Sequence, residues 1–124
     1  MAGRLQDKVV LITGAGGGLG SEQARLMAKQ GAKIVATNLK KDTIIAPDQA
    51  EDALWKRTLA LVDEINRKGG EAIVLPLDVT QEQDWIDAVA ETEKHFGRLD
   101  VLSNNAGIYY HAGLLEHTVE KFYQ

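Results

Sequence analysis

The chain has 124 residues, 14 lysines and arginines against 18 aspartates and glutamates, and no cysteine. That length allows one domain at most, and a net charge of −4 without a basic tract argues against nucleic acid or an anionic membrane as a partner. Disulfides and thiolate chemistry are excluded, and because neither a signal-peptide core nor 18 consecutive apolar residues occurs, we expect a soluble cytoplasmic protein.

The first predicted element is a buried strand that opens into a glycine-rich turn. Residues 9–12, VVLI, are apolar on both faces, which is typical of a central parallel strand covered by helices on both sides. Five glycines follow within residues 14–20. Gly14 would make the turn, and Gly18 and Gly20 would let a ligand and the neighbouring strand approach the start of a helix.

This turn is predicted to bind phosphate. The free N–H groups of the first helical turn and the positive end of the helix dipole attract an anion. A flexible glycine-rich linker is the alternative, but strand and helix patterns flank the glycines, as a dinucleotide fingerprint requires. A P-loop is excluded, because Gly20 is followed by Ser21 and Glu22 with no lysine.

The next elements complete a strand, helix and strand unit. A helix is predicted over 19–30 with Gly31 as its C-cap glycine, and a second strand over 33–38. An acidic residue usually binds the ribose hydroxyls at the end of that strand in NAD-binding proteins, but this chain has Asn38, whose amide can still hydrogen-bond a hydroxyl. The lysines at 40–41 could meet a 2′-phosphate or be solvated loop charges.

The rest of the chain continues to alternate helices and strands, which predicts a parallel sheet with right-handed crossovers and helices on both faces. A loop over 40–50 leads to a helix that starts near Pro47 and Asp48 and ends at Arg67. Its expected core positions are Leu54, Leu61, Val62 and Ile65. A strand is predicted over 71–78, followed by a helix with a capping box of Thr80 and Gln83 and an apolar side at Trp85, Val89 and Phe96. The remaining predicted elements are a strand over 99–104, a loop over 108–117 and the start of a helix over 118–124.

Three motifs at strand ends together resemble the short-chain dehydrogenase/reductase family. They are T-G-A-G-G-G-L-G at 13–20, Asp78 with Val79, and N-N-A-G at 104–107. The resemblance covers essentially the whole chain. It implies a Rossmann-type α/β fold, a doubly wound parallel sheet whose first four strands have the order 3-2-1-4. Residues 1–124 would then be the N-terminal part of a single NAD(P)-binding domain in an oxidoreductase acting on an alcohol or ketone.

The same resemblance implies where the cofactor binds. The motif glycines would shape the pyrophosphate turn, and Leu19 would lie beside the nicotinamide riboside. Asp78 would accept a hydrogen bond from the adenine amino group while the Val79 backbone contacts the ring. Residues 104–107 would stabilise the central sheet and run alongside the adenosine ribose. The predicted cofactor-binding set is Thr13, Gly14, Gly18, Leu19, Gly20, Asn38, Asp78, Val79, Asn104, Ala106 and Gly107.

The cofactor type stays open between NAD and NADP. Family members that prefer NADP often carry a basic residue before the second motif glycine, where this chain has Gly17, and members that prefer NAD usually carry an acid where it has Asn38. We expect NAD with a slight preference. The family also implies a homodimer or homotetramer and a small-molecule alcohol or ketone as substrate; we expect no nucleic acid, membrane or metal.

The catalytic residues of the family are not found in this chain. The family uses a Ser and a Tyr-x-x-x-Lys pair, in which the lysine lowers the tyrosine pKa from about 10. Gly113 and Leu114 stand four residues after Tyr109 and Tyr110, and Tyr123 is followed by one residue. We therefore expect the cofactor-binding half of such an enzyme, cut within a helix and inactive alone, whose exposed fourth strand invites association.

Two other functions remain as alternatives. The chain could be a non-catalytic module that binds a nucleotide or another subunit. It could also resemble an S-adenosylmethionine-dependent methyltransferase, because residues 14–18 fit a G-x-G-x-G turn. Such a domain usually has an acid at the end of the second strand, so Asn38 and the N-N-A-G motif argue against it.

Overall fold

The protein alternates strands and helices in the order expected from its sequence. The computed structural model describes residues 3–39, 51–107 and 115. Its elements are β1 (Val9–Ile12), α1 (Gly18–Lys29), β2 (Lys33–Asn38), α2 (Glu51–Arg67), β3 (Glu71–Pro76), α3 (Glu82–Phe96) and β4 (Val101–Ser103). Within these residues the strands form one parallel sheet with the order β3-β2-β1-β4, which confirms the predicted 3-2-1-4 topology.

Strand β1 is the centre of the sheet. Leu11 pairs in register with Val35 of β2 on one side and with Leu102 of β4 on the other. All four residues of β1 are buried, as its uninterrupted apolar run predicts. Because the strands are parallel, their carboxyl ends meet at one edge of the sheet, where ligands of such folds bind.

Helices cover both faces of the sheet, and each face has its own core. On one face Val10 and Ile12 pack with side chains of α1 and α2, among them Ala24, Leu61 and Ile65. On the other face Val9 and Leu11 pack with Ala88 of α3 and with partly buried Trp85 and Phe96. Each Å² of buried apolar area stabilises the folded state by about 25 cal/mol, and β1 buries apolar side chains on both of its faces.

Most element boundaries agree with the sequence to within two residues. Helix α1 ends at Lys29, and Gly31 takes the left-handed φ of 92° expected of a C-terminal glycine. Strands β3 and β4 are shorter than predicted, since they end at Pro76 and Ser103. Of the expected α2 core positions, three are buried and Leu54 is partly exposed. The predicted loop over 40–50, the helix start at 47–48, and the elements over 108–117 and 118–124 lie outside the continuous described segments.

The predicted capping box of α3 is wrong. The residue that precedes the helix is Gln81, and no side chain caps it. The Thr80 hydroxyl instead donates a hydrogen bond to Asp78 Oδ1 at 2.6 Å, and the Gln83 amide donates to Asp87 at 2.9 Å. Because the cap position is Gln81, the helix begins one residue too late for the Thr80 oxygen to accept from its first turn as a capping box requires.

No helix within the described residues is both long and apolar enough to cross a membrane.

Asp100 joins the start of β4 to the start of β1. Its Oδ2 accepts the Val9 N–H at 2.8 Å, and its own N–H donates to the Val9 carbonyl at 2.9 Å. Arg98 Nε donates to the other carboxylate oxygen at 2.9 Å. The hydrogen bond from Arg98, and then the one from Val9, hold the pKa of Asp100 below its usual range.

This lowered pKa predicts that Asp100 stabilises the fold at neutral pH and that the stabilisation is lost in acid. The unfolded carboxyl has a pKa of about 3.9, so the stabilisation is complete above that pH and is lost as pH falls through the lower folded-state pKa. Asp100→Asn should therefore reduce the free energy of unfolding at pH 7 and flatten its decline below about pH 4. Urea unfolding at pH 7 and across that acid range measures both effects, with Asp87→Asn on the exposed side of α3 as the matched control. Parallel pH curves for the parent and Asp100→Asn would contradict this role.

Candidate dinucleotide site

The glycine turn between β1 and α1 is shaped by close contacts with the rest of the chain. Gly14 has a φ of 67°, and a Cβ there would lie 2.9 Å from the Ala106 Cα. A Cβ at Gly20 would lie 2.6 Å from the Gly14 carbonyl oxygen and 2.7 Å from Asn105 Nδ2. These two positions therefore exclude any larger side chain for reasons of packing within the protein.

Gly18 differs, because a Cβ there would meet nothing within 4 Å. It is the first residue of α1, and no side chain caps that helix. The space beside Gly18 and the N–H groups of the first turn are thus open to a ligand, and the helix dipole favours an anion there. Leu19, the next residue, is 69% exposed despite its apolar side chain.

A buried hydroxyl joins the glycine turn to the N-N-A-G segment. Thr13 Oγ1 accepts hydrogen bonds from the N–H groups of Asn105 and Ala106, both at 3.0 Å, and its own proton is directed to the Ser103 carbonyl at 3.3 Å. The Asn105 amide donates back to the carbonyl oxygens of Thr13 at 3.2 Å and Gly14 at 3.3 Å. We call this set of bonds the Thr13–Asn105 junction.

The predicted cofactor-binding set includes Thr13, Asn104, Ala106 and Gly107 but not Asn105, which was expected only to help stabilise the sheet within residues 104–107. Asn105 makes the side-chain bonds of the junction, whereas Asn104, Ala106 and Gly107 are exposed along the open edge. A detectable signal was the pair of adjacent asparagines directly after a strand, because an amide can donate to two carbonyls where a backbone turn leaves them unpaired.

Asn38 is buried at the end of β2 and is already hydrogen-bonded within the protein. Its Oδ1 accepts the Leu39 N–H at 2.8 Å, and its Nδ2 donates to Thr58 Oγ1 at 3.4 Å. A Cβ at Gly16 would lie 2.7 Å from Asn38 Nδ2 and 2.6 Å from Thr58 Oγ1, so the glycine turn packs directly on both. The Asn38 Oδ1 can accept one more hydrogen bond, and its Nδ2 can donate one more.

Asp78 and Val79 lie beyond the end of β3, in a short segment fixed to α3. Asp78 Oδ1 accepts hydrogen bonds from both the N–H and the hydroxyl of Thr80. Val79 is 41% exposed, and its carbonyl accepts the indole N–H of Trp85 at 3.0 Å. Since β3 and β4 are at opposite sides of the sheet, the predicted site residues form a row along its carboxyl edge, with Asn38 and the glycine turn between the ends.

A cavity of about 210 Å³ lies between α1 and α2, lined by residues that include Gly16, Ser21, Arg25 and Arg57. Arg25 Nε donates to Glu64 Oε2 at 2.8 Å across the same helix pair, and this bond holds the pKa of Glu64 below its ordinary value. The cavity contains neither Gly14 nor Asp78 in its lining, and it adjoins the row of site residues at Gly16. No metal-binding group of three His, Asp or Glu occurs in the part of the chain that the structure describes.

Comparison with known proteins gives a consistent set of relatives. The chain matches the family model of the short chain dehydrogenases over residues 8–124. It is 38% identical over 120 residues to the 2,5-dichloro-2,5-cyclohexadiene-1,4-diol dehydrogenase LinX of Sphingobium indicum, which covers 97% of this chain and 42% of that protein. It is also 39% identical over 106 residues to cyclopentanol dehydrogenase of Comamonas testosteroni, which covers 86% of this chain and 37% of that protein.

Solved structures agree. A dehydrogenase/reductase from Sinorhizobium meliloti 1021 superposes with a TM-score of 0.78 at 31% identity, covering 95% of this chain and 42% of that one. A hydroxysteroid dehydrogenase from Escherichia coli gives 0.68 at 34% identity, covering 84% and 38%. The chain thus spans less than half the length of these relatives.

The junction predicts an unequal effect of two substitutions at Thr13. Thr13→Val keeps the shape but removes the hydroxyl acceptor. The Asn105 N–H still has the Ser103 carbonyl at 3.0 Å, whereas the Ala106 N–H loses its partner, and an unpaired donor costs about 1–3 kcal/mol when it is buried. We therefore expect Thr13→Val to lower the free energy of unfolding by about 2 kcal/mol. Thr13→Ser keeps the hydroxyl and should lose only about 1 kcal/mol for its missing methyl group. Urea unfolding measures both, and equal losses for the two variants would show that the hydroxyl has no such role.

Proposed function

The chain belongs to the short-chain dehydrogenase/reductase family, and from that membership we propose that residues 1–124 are the dinucleotide-binding part of an NAD(P)-dependent oxidoreductase acting on an alcohol or ketone. The observation that carries the proposal is the junction of Thr13 with Asn105, which joins two of the family's motifs around an open helix N-terminus. The third motif, Asp78 with Val79, stands at the same edge of the sheet.

The pyrophosphate is proposed to bind where α1 begins. Gly14 and Gly20 hold the turn against the protein, while the open space at Gly18 admits the phosphate oxygens. Leu19, exposed at the first turn, is proposed to contact the nicotinamide riboside. When bound, the nicotinamide would exchange a hydride with the substrate carbon.

The adenosine end is proposed to extend toward β3. Asn38 would use its remaining bonding capacity on the ribose, along with the exposed Asn104, Ala106 and Gly107. Asp78 would accept from the adenine amino group. Because the Val79 carbonyl already accepts from Trp85, its N–H is the backbone group proposed to contact the ring.

We propose NAD as the preferred cofactor. Gly17, which precedes the second motif glycine, supplies no cation for a 2′-phosphate. NADP is the second candidate, because Arg57 lines the same cavity as Gly16 and forms no ion pair within the described residues. A homodimer or homotetramer is proposed for the complete protein from its family.

The proton transfer that accompanies hydride transfer needs a group outside these residues. General acid–base catalysis contributes about 10²–10⁴-fold in rate, and the sequence contains no Tyr-x-x-x-Lys pair. We therefore propose that residues 1–124 bind the cofactor and do not by themselves catalyse its reaction.

Calorimetric titration of the chain with NAD, NADP and S-adenosylmethionine tests this function. We expect binding of one dinucleotide per chain, tighter for NAD. Gly14→Ala should abolish binding, because its Cβ would displace Ala106 from the turn. Gly69→Ala is the matched control: its φ of 90° imposes similar backbone strain, but its Cβ would meet nothing within 4 Å. Binding of S-adenosylmethionine alone, or unchanged dinucleotide affinity in Gly14→Ala, would contradict the proposal.

A further inference from the structure

Thr80 stands outside the motifs that point to cofactor binding, and the helix cap expected of it does not form. We propose that Thr80 is a positioning residue, which orients the Asp78 carboxylate so that one oxygen is presented to the 6-amino group of adenine. This inference rests on the proposed dinucleotide function and adds a residue that orients the carboxylate contacting the base.

The Asp78 carboxylate is held by two bonds on a single oxygen. Its Oδ1 accepts the Thr80 N–H at 2.9 Å and the Thr80 hydroxyl at 2.6 Å. No donor within the described residues bonds to Oδ2. The side chain is therefore fixed in one rotation, with one oxygen occupied and the other available as an acceptor.

The backbone beneath this carboxylate is fixed by α3. The Asp78 N–H donates to Asp84 Oδ2 at 2.9 Å, and the Asp78 carbonyl accepts the Gln81 N–H at 3.0 Å. Trp85 Nε1 donates to the next carbonyl, that of Val79. Two side chains of the first turns of α3 thus hold the residue that carries the carboxylate and the one that follows it.

A fixed, half-occupied carboxylate can distinguish bases by the group at position 6. Adenine carries an amino donor there, and Oδ2 can accept from it. Hypoxanthine carries a carbonyl oxygen at the same position, which would face a second acceptor and leave both unpaired. If the carboxylate could rotate freely, it could turn away from the carbonyl and the discrimination would weaken.

Three forms of the chain and two ligands test the proposal. The parent, Thr80→Val and Thr80→Ser are titrated by calorimetry with whichever of NAD and NADP binds, and with its hypoxanthine analogue. Thr80→Val removes the hydroxyl at similar volume, and Thr80→Ser keeps it. Thr80 is exposed, so a folded Thr80→Val is expected; Thr80→Ala replaces it if thermal unfolding shows otherwise.

We expect the parent to prefer the adenine dinucleotide by about tenfold, the factor that one hydrogen bond to a charged acceptor supplies. Thr80→Val should reduce this preference to about twofold, and Thr80→Ser should retain it. A purely structural Asp78 turn would instead weaken both ligands equally in Thr80→Val and leave their ratio unchanged, which would overturn the inference while the proposed function stands. If the parent binds neither dinucleotide, the proposed function and this inference fall together.

Discussion

The structure depends on one buried threonine hydroxyl at the end of its central strand. Thr13 Oγ1 accepts hydrogen bonds from two backbone N–H groups of a segment more than 90 residues further along the chain. Thr13 is 1% exposed, so its hydroxyl is shielded from water, and its loss would remove the hydrogen bond of the Ala106 N–H. The ends of β1 and β4 are therefore joined by specific bonds as well as by the sheet ladder.

The shape of the glycine turn follows from this junction. With the N-N-A-G segment held so close, only a residue without a side chain fits opposite Ala106, and the positive φ of Gly14 directs the chain into α1. On the other side of the turn, Thr37 donates its hydroxyl to the Ile12 carbonyl at 2.9 Å and accepts the Ala15 N–H on its own carbonyl at 3.0 Å. Bonds from β2 and β4 thus fix both flanks of the turn, and its open side at Gly18 is the direction left for a ligand.

The sequence predicts the features that depend on local pattern. The apolar run of β1, the glycine at the end of α1 and the exact bounds of β2 follow from burial and backbone preference within a few residues. The strand order follows because alternating strands and helices with right-handed crossovers leave few topologies, and the family resemblance selects one of them. Contacts between distant segments set the remaining features.

Thr80 and Asn105 illustrate that limit. The spacing of Thr80 and Gln83 fits a capping box, but the helix takes Gln81 as its cap and the Thr80 hydroxyl donates to Asp78. Asn105 is one of two adjacent asparagines that the sequence does not distinguish. Only the position of β1 shows that Asn105 is the one that bonds to Thr13 and Gly14. Asn38 is the converse case, since a position expected to face a ribose is also fixed to α2 through Thr58.

The central claim is that the Thr13 hydroxyl holds the N-N-A-G segment against the end of β1 before any ligand binds. Native-state amide hydrogen exchange of the ligand-free chain tests it most directly, with Gly107 as the internal reference because its N–H has no hydrogen bond within the described residues. The Ala106 amide, which donates to the Thr13 hydroxyl, should exchange at least about 100-fold more slowly than that of Gly107, and Thr13→Val should remove the difference. Exchange of the Ala106 and Gly107 amides at the same rate in the parent chain would contradict the claim.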